Sequence, residues 1–292
     1  MSDTGHTLNE QAAAAAFSKQ APLFDGLYSG DTIIQYKRKR VRDHVLYYLA
    51  PHSHILELNA GTGEDAMFFA RQGHTVHATD ISDNMQAKLK EKARENNLHI
   101  SISDEVCSFT ELDSLSARGP YDLIFSNFAG LNCTHELDKV LHSFDSLLNP
   151  GGYVTLVILP KFCLWEFLLL FKGKFKTAFR RFAGSKGAKA HIEGEFFRCW
   201  YYNPSFVKKQ MRDKFSVIRL EGLCTIVPPS YIEKFAEKYP RAFSFLKRLE
   251  DKWKTRWPWR SVGDYYIITL QKKVTSSISR AQAVEPHRHI GT

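Results

Sequence analysis

The chain has 292 residues, of which 43% are hydrophobic, and a formal net charge of +9 at pH 7. This length allows one large domain or two small ones around a substantial core. The longest apolar run, FCLWEFLLLF at 162–171, is about half of the roughly twenty residues that a membrane span needs. The N-terminus shows no signal-peptide pattern, so we expect a cytoplasmic protein. The five cysteines show no CxxC spacing, which argues against both disulfides and a metal site.

The N-terminal residues 1–30 are predicted to form a lid segment. Within it, residues 1–10 look disordered and a first helix is expected over about 9–20. A second helix is expected over 32–49, where apolar residues recur at helical spacing. This helix carries the basic cluster KRKRVR at 37–42, which either lies in solvent or binds an anionic partner.

Strand and helix patterns then alternate through residues 31–160, which we interpret as the core. Strands are predicted at 54–58, 75–81, 99–103, 121–127 and 153–159, and helices begin at Glu64, at Ser82 and after the fourth strand. The last of these helices ends at NPGG, a helix-stop signal. The alternation predicts an α/β fold with a doubly wound, Rossmann-like sheet.

Two insertions interrupt this pattern. Residues 161–203 form a cap insertion that is rich in aromatic and basic residues, and its run KFCLWEFLLLFKGKFKTAFRRF is typical of a basic amphipathic helix. Residues 204–273 complete the core, with a helix from Pro204, strands at 216–223 and 264–272, and a second insertion at 225–263. The polar tail 274–292 is expected to be disordered.

The stretch LELNAGTGED at 56–65 joins the first strand to a helix through a glycine turn, a geometry that lets backbone approach a ligand closely. A phosphate-binding P-loop would need a lysine here, whereas Glu64 and Asp65 follow the turn, so we reject that class of site. GTGEDA still satisfies a dinucleotide-binding pattern, with Asp80 at the end of the next strand. Glu57 and the paired acids favour a ligand that carries an ammonium or sulfonium group.

Four motifs in this order resemble the class I S-adenosylmethionine-dependent methyltransferases. They are ELNAGTGEDA, ATDIS, YDLIFSNFAGLN and LLNPGG, and the likeness is greatest to the small-molecule branch, whose core is like that of ubiquinone and menaquinone methyltransferases. The resemblance covers about residues 20–160 and, more loosely, 200–273. It implies a seven-stranded sheet with an antiparallel last strand, S-adenosyl-L-methionine as cofactor, and S-adenosyl-L-homocysteine as product.

The resemblance also implies cofactor-binding residues. They are Tyr28, Tyr36 and Arg40 in the N-terminal segment, Glu57, Asn59, Ala60, Gly61 and Gly63 at the turn, Asp80, Ile81 and Met85 after the second strand, Ser108 and Phe109 after the third, and Asn127 and Phe128 after the fourth. Asp80 would accept hydrogen bonds from the ribose and Arg40 would reach the methionine carboxylate. Asn59 replaces the family's first glycine, and Ser108 stands where many members have an acid against the adenine.

An oxygen acceptor also needs a base, for which we consider His135, His191 and Tyr201 as catalytic candidates. For each of them a surface or packing role is the alternative. Many aromatic residues between 162 and 202 would either roof an apolar acceptor pocket or form the core of the cap.

We therefore predict a methyltransferase that acts on a hydrophobic or aromatic small molecule, with oxygen as the expected acceptor atom. We do not expect nucleic-acid bases as acceptors, because SNFAGL lacks the prolines of (D/N)PP(Y/F). Three alternatives stay open: an RNA or protein acceptor bound through the basic surface, a non-catalytic cofactor-binding interaction module, and a nicotinamide oxidoreductase. The cap helix also raises the hypothesis of peripheral membrane contact. The sequence does not determine the oligomeric state.

Overall fold

The computed structural model describes residues 4–232 and 234–274. Its α-helices are α1 (Thr4–Ser29), α2 (Thr32–Leu46), α3 (Glu64–Arg71), α4 (Asp83–Glu95), α5 (Leu137–Leu147), α6 (Leu164–Leu168), α7 (Phe175–Phe179), α8 (Pro204–Met211), α9 (Phe235–Lys238) and α10 (Pro240–Trp253). Its strands are β1 (His54–Leu58), β2 (Thr75–Asp80), β3 (Ile102–Val106), β4 (Tyr121–Ser126), β5 (Leu148–Ile158), β6 (Ala188–Ile192), β7 (Glu195–Cys199), β8 (Phe215–Leu223) and β9 (Tyr265–Lys272).

Seven strands form one sheet in the order β3-β2-β1-β4-β5-β9-β8. The first five are parallel, and β9 lies antiparallel between β5 and β8. The predicted doubly wound α/β sheet with an antiparallel last strand is thereby confirmed. The strand order reverses between β1 and β4: β2 and β3 extend the sheet on one side and β4 and β5 on the other. In open α/β sheets, ligands bind at the carboxyl ends of the strands beside such a switch point.

Apolar side chains cover both faces of this sheet. On one face Leu56 and Ile124 of the sheet and Phe144 of α5 are fully buried in one cluster, to which α8 also contributes. On the other, Phe69 of α3 packs edge-on against Phe125 of β4, with ring centroids 5.3 Å apart. Burying each such side chain contributes about 1.5–3 kcal/mol, so the core holds the strand ends, and everything attached to them, in fixed positions.

Some predicted boundaries were wrong. Strand β3 starts at Ile102 instead of residue 99, because residues 99–101 form a turn after α4 in which the Ser101 amide donates to Leu98. Strand β5 starts at Leu148, directly after α5, so the NPGG segment lies within the strand. Helix α1 begins at Thr4, although residues 1–10 were expected to be disordered.

The cap insertion contains the antiparallel pair β6–β7 and several short helical turns. The run 161–182 is not one amphipathic helix, as was predicted. It breaks into α6 and α7, with Gly173 between them in the left-handed region at φ +70°. Of the predicted tail 274–292, residues 275–292 lie outside the described residues. Within the described chain, no helix is long and apolar enough to cross a bilayer.

Candidate active site

A cavity of about 290 Å³ opens at the carboxyl ends of β1, β2 and β4, beside the switch point. Helices α1 and α2 and the second insertion close it from the other side. Twelve of the predicted site residues line it, namely Tyr28, Glu57, Asn59, Ala60, Gly61, Asp80, Ile81, Met85, Ser108, Phe109, Asn127 and Phe128. The structure thus brings together residues from five separate segments of the chain.

The turn after β1 requires the residues that the sequence supplies. Asn59 and Gly61 both have positive φ, +47° and +57°, and Asn is one of the few residues with a side chain that tolerates this region. The Asn59 amide donates to the Asn127 carbonyl at 2.9 Å and its oxygen accepts from Ser126 Oγ at 2.6 Å. These bonds tie the turn to the end of β4.

Gly61 and Gly63 serve different purposes. A Cβ on Gly61 would meet no protein atom within 4 Å, so this glycine leaves its backbone open toward the cavity. Gly63 does not line the cavity. It caps α3 in the left-handed conformation, and a Cβ there would come within 2.5 Å of Leu89, so its role is packing.

Asp80 lies at the end of β2, where its carboxylate accepts hydrogen bonds from the backbone N–H groups of Gly61 and Ser82, both at 2.9 Å. Burial raises the pKa of this carboxyl, although the backbone bonds oppose the shift. The bonds fix the carboxylate between the glycine turn and α4. An ionised carboxylate has more lone pairs than two N–H groups occupy, so it can also accept bonds from a ligand.

Glu57 is the most unusual group in the site. Its side chain is 3% exposed, and Oε2 has no hydrogen-bond partner among the residues that the structure describes. Burial raises the pKa of this carboxyl well above its ordinary value, and the charge of Asp65 adds to the effect. A buried carboxyl without a partner is costly for the fold, which is why such groups are found mainly at functional sites.

The paired acids after the turn are less available than the sequence suggested. Asp65 accepts from Arg42 Nε at 2.6 Å and from Asn127 Nδ2 at 2.7 Å, so it joins α2, α3 and the end of β4. Glu64 is paired with Lys92 at 2.7 Å. Their charge is therefore largely balanced by protein cations, whereas Glu57 Oε2 has no hydrogen-bond partner among the described residues.

Helix α1 contributes a residue that sequence reasoning missed. The buried carboxylate of Glu10 lines the cavity and accepts from Ser108 Oγ at 2.8 Å and from Thr110 Oγ1 at 2.9 Å. It thus supplies an acid beside Ser108, where the sequence after β3 lacks one. No local pattern could have found it, because the partners are about a hundred residues apart and Glu10 was assigned to a disordered segment.

Two of the predicted cofactor contacts, both on α2, do not face the cavity. Tyr36 and Arg40 do not line the cavity, because Arg40 Nη1 bonds the Tyr36 hydroxyl at 3.0 Å and Arg40 Nη2 bonds Glu221 at 3.2 Å, toward β8. Lys37 and Arg38 line it instead. At 100° per residue, a helix that faces the cavity with Ile34 also presents residues three and four positions later, and that spacing was the signal available in the sequence.

Arg38 is buried and its Nε has no hydrogen-bond partner. Its nearest carboxylate oxygens, on Glu64 and Asp65, are 3.9 Å from Nη1, which is longer than a hydrogen bond. The cavity therefore contains a carboxylate and a guanidinium that each have an unused polar atom.

None of the three catalytic candidates lines the cavity. His135 is exposed, beside the Trp200 ring at 5.8 Å, and His191 lies on β6 against the Phe196 ring at 4.4 Å. Tyr201 packs 5.3 Å from the Arg181 guanidinium, and burial raises its pKa. All three lie outside the cavity lining, so we do not retain them as the base. Among the described residues, no histidine lines the cavity.

The apolar lining also differs from the prediction. Its aromatic part comes from Phe17, Phe24 and Tyr28 of α1, Phe109 after β3, Phe128 after β4 and Tyr265 of β9, and no aromatic residue of 161–203 contributes to it. Trp200, Tyr201 and Tyr202 are buried in the core and cap, whereas several cap phenylalanines face solvent. The cap aromatics therefore do not roof this cavity.

Comparisons with known proteins agree with this arrangement. Residues 55–152 match the family model described as a methyltransferase domain. A polyketide synthase–nonribosomal peptide synthetase of Pyricularia grisea is 31% identical over 130 residues, which are 42% of this chain and 3% of that protein. The chain thus matches only a small part of that relative.

Two solved structures share the fold over nearly the whole chain. The cyclase SpnF has a TM-score of 0.59 at 16% identity and covers 91% of this chain and 97% of its own. A magnesium protoporphyrin IX methyltransferase of Synechocystis, solved with S-adenosylmethionine bound, has a TM-score of 0.56 at 14% identity, with 91% and 97% covered. At these identities the likeness establishes the fold alone.

Proposed function

We propose that this chain is a class I, S-adenosylmethionine-dependent methyltransferase that methylates a hydrophobic or aromatic small molecule. The premise is the match of residues 55–152 to a methyltransferase domain, together with the order of the strands in the sheet. Oxygen is the acceptor atom that we propose. The cofactor of such a domain is S-adenosylmethionine, which when bound supplies a sulfonium methyl group that is already activated for transfer. The protein then has to hold donor and acceptor in line and exclude water.

The observation that carries this proposal is the pair of ionisable side chains in the cavity that each have an unsatisfied polar atom. Glu57 Oε2 and Arg38 Nε are both buried and both without a hydrogen-bond partner. An ammonium and a carboxylate on one ligand would satisfy both, and the methionine part of the cofactor carries these two groups. The open space at Gly61 leaves room for that part of the cofactor against the backbone.

The other end of the cavity fits an adenosine. Asp80 stands where the ribose hydroxyls would be accepted, and Met85 and Ile81 supply apolar surface for the base. We propose that the Glu10 carboxylate accepts from the adenine amino group, in place of the acid that is missing after β3. Ser108 holds Glu10 in position by donating to it.

Helix α1 closes the site and excludes water. Asp25 accepts from Thr62 Oγ1 and pairs with Lys92 Nζ, both at 2.6 Å, which ties the C-terminal part of α1 to the glycine turn and to α4. Of the segment 1–30 that we propose as a lid, residues 4–29 form one helix. Its Phe17 and Phe24 line the cavity, and this supports an apolar acceptor.

Peripheral membrane contact remains part of the proposal, on the evidence of an exposed surface of the cap. Phe171, Phe175, Phe179 and Phe182 are each more than half exposed, and Lys172, Lys174 and Lys176 lie between them. Aromatic and basic side chains together favour the interface of an anionic bilayer. We expect vesicles that contain phosphatidylserine to bind the protein more tightly than neutral vesicles, and Lys172→Gln with Lys174→Gln to remove the difference. Equal binding to both vesicles would exclude this contact.

Calorimetric titration with S-adenosylmethionine, S-adenosylhomocysteine and NADH tests the main proposal. We expect both adenosyl compounds to bind and NADH not to bind. Asp80→Ala should lower the affinity for both adenosyl compounds by tenfold or more, because the ribose hydroxyls lose their hydrogen-bond acceptor. Asp83→Ala, which removes an exposed acid at the start of α4, is the matched control. Binding of NADH alone would replace the proposal with the nicotinamide alternative.

Turnover distinguishes the remaining alternatives. Release of S-adenosylhomocysteine that depends on an apolar acid, phenol or quinone-like acceptor supports the enzyme that we propose. Tight binding of S-adenosylmethionine without turnover would favour a cofactor-binding interaction module. Affinity for RNA that falls steeply with salt would favour the basic surface as the acceptor site.

A further inference from the structure

Lys37 is a buried cation that lines the cavity, and the cofactor contacts proposed above do not include it. Its side chain is 3% exposed, and Nζ donates to Ser230 Oγ at 3.3 Å. Its nearest carboxylate oxygen, on Asp264, is 3.6 Å away, beyond a normal hydrogen bond. An ammonium has three N–H donors, so Lys37 keeps donors for a ligand.

The charges around Lys37 do not balance. Glu166 accepts from Arg180 and Arg181 at 2.6 Å, and Arg181 also donates to Asp264 at 2.9 Å. This cluster has two carboxylates, Glu166 and Asp264, against the three cations Arg180, Arg181 and Lys37. One positive charge is therefore in excess, and of the three cations Lys37 is the one that lines the cavity.

Lys37 stays charged in this setting. Burial by itself lowers its pKa, but Tyr265 and Asp264 outweigh that effect and raise the pKa above the ordinary value of a lysine. The excess charge is also the reason why we do not read Cys163, Glu166 and Asp264, which lie close together, as a metal site. Both carboxylates already have cationic partners.

The surroundings of the ammonium are aromatic. Nζ lies 4.9 Å from the Tyr265 ring centroid and 5.8 Å from that of Phe128. Phe128 follows β4 and its ring centroid lies 5.2 Å from the Arg38 guanidinium, so both cations lie near the same ring. Lys37 contacts the second insertion through Ser230.

We propose, building on the proposed function, that Lys37 and Ser230 bind an ionised oxygen of the acceptor, and that the acceptor is an apolar carboxylic acid or phenol. Lys37 favours the ionised form, because a nearby ammonium lowers the pKa of an acid. The oxygen then attacks without a protein base. This accounts for a cavity that no described histidine lines.

The transfer balances without a proton. A lone pair of the oxyanion forms the new oxygen–carbon bond, the carbon–sulfur bond of the donor breaks, and its electron pair stays on sulfur. The sulfonium charge and the oxyanion charge both disappear. The products are a neutral ester or ether, together with a thioether, and Lys37 does not change its protonation state.

Binding to the complex with S-adenosylhomocysteine tests this inference without turnover. The probes are naphthoate, naphthol and naphthamide, which share a ring system and differ in acidity. We expect naphthoate or naphthol to bind at least about tenfold more tightly than naphthamide, as a charge-assisted hydrogen bond predicts. The tighter of the two tells whether a carboxylate or a phenolate is preferred.

Lys37→Met should remove that preference, and Ser230→Ala should reduce it severalfold. Lys39→Met is the matched control, because Lys39 is exposed on the same helix and pairs with Asp43. S-adenosylhomocysteine should still bind all three variants. If Lys37→Met fails to fold, Ser230→Ala decides the question.

Equal binding of naphthamide and the two acids would overturn the inference, as would an anion preference that survives both substitutions. In that case Lys37 would serve only to balance Asp264. Either result leaves the proposed function intact, provided that S-adenosylhomocysteine binds. If S-adenosylhomocysteine does not bind the wild-type protein, the proposed function and this inference fail together.

Discussion

Replacement of Glu57 by glutamine should affect stability and cofactor binding in opposite ways. Glu57→Gln keeps the shape of the side chain and removes a carboxyl whose Oε2 has no partner within residues 4–232 and 234–274. If Glu57 holds the ammonium of the cofactor, the loss of its charge costs about 2 kcal/mol of binding, or roughly thirtyfold in Kd. The free protein loses no hydrogen bond at Oε2, so it should not be destabilised.

The pH dependence of the free energy of unfolding provides a second test of Glu57. The pKa of Glu57 is raised by burial, so the unfolded chain ionises at lower pH than the folded protein. The folded state then binds more protons, and stability falls as pH rises from the ordinary glutamate value of 4.5 to the raised one. Within that window the wild type should lose up to about 1.4 kcal/mol per pH unit relative to Glu57→Gln.

Urea denaturation of both proteins at several pH values measures this difference, and calorimetry at pH 7.5 measures the two affinities. Methylthioadenosine serves as control ligand, because it has neither the ammonium nor the carboxylate of the cofactor. Its affinity should not change in Glu57→Gln. Two results would show that Glu57 is a structural residue and refute this prediction. One is an equal loss of affinity for S-adenosylmethionine and methylthioadenosine, and the other is a free variant that is less stable by more than about 1 kcal/mol at every pH.

Three further variants separate the parts of the site. Arg38→Met should lower the affinity for S-adenosylhomocysteine about tenfold in calorimetry and leave the affinity for methylthioadenosine unchanged. An equal loss of affinity for both ligands would mean that Arg38 serves only in packing. Gly61→Ala should lower the free energy of unfolding by about 1–2 kcal/mol in urea denaturation, because φ is +57° there. It should also lower the affinity for S-adenosylhomocysteine at least tenfold, and unchanged affinity would mean that the backbone at Gly61 does not face the cofactor. Glu250→Gln should lower the free energy of unfolding by about 3 kcal/mol, since this fully buried carboxylate accepts four backbone N–H bonds from 224–227 and pairs with Arg40. Cofactor affinity of the folded Glu250→Gln variant should not change, and a selective loss of affinity would contradict a structural role.

The sequence alone determined the parts of this protein that depend on local geometry. Alternating strand and helix patterns gave the sheet, and the turn after β1 was readable because a positive φ restricts the choice to Gly and Asn. The same holds for Asp80, which a strand end places beside that turn. These features need only a few neighbouring residues, so their signal lies within a short window of sequence.

The tertiary structure decided which distant side chains reach the cavity. Helix α1 brings Glu10 to Ser108, and the packing of α2 turns Lys37 and Arg38 inward while Arg40 turns toward Glu221. The cap aromatics, which composition alone suggested for the acceptor pocket, lie elsewhere. Contacts between remote segments depend on how whole elements pack, and one helical turn of basic residues offers several equivalent faces until a neighbour buries one of them.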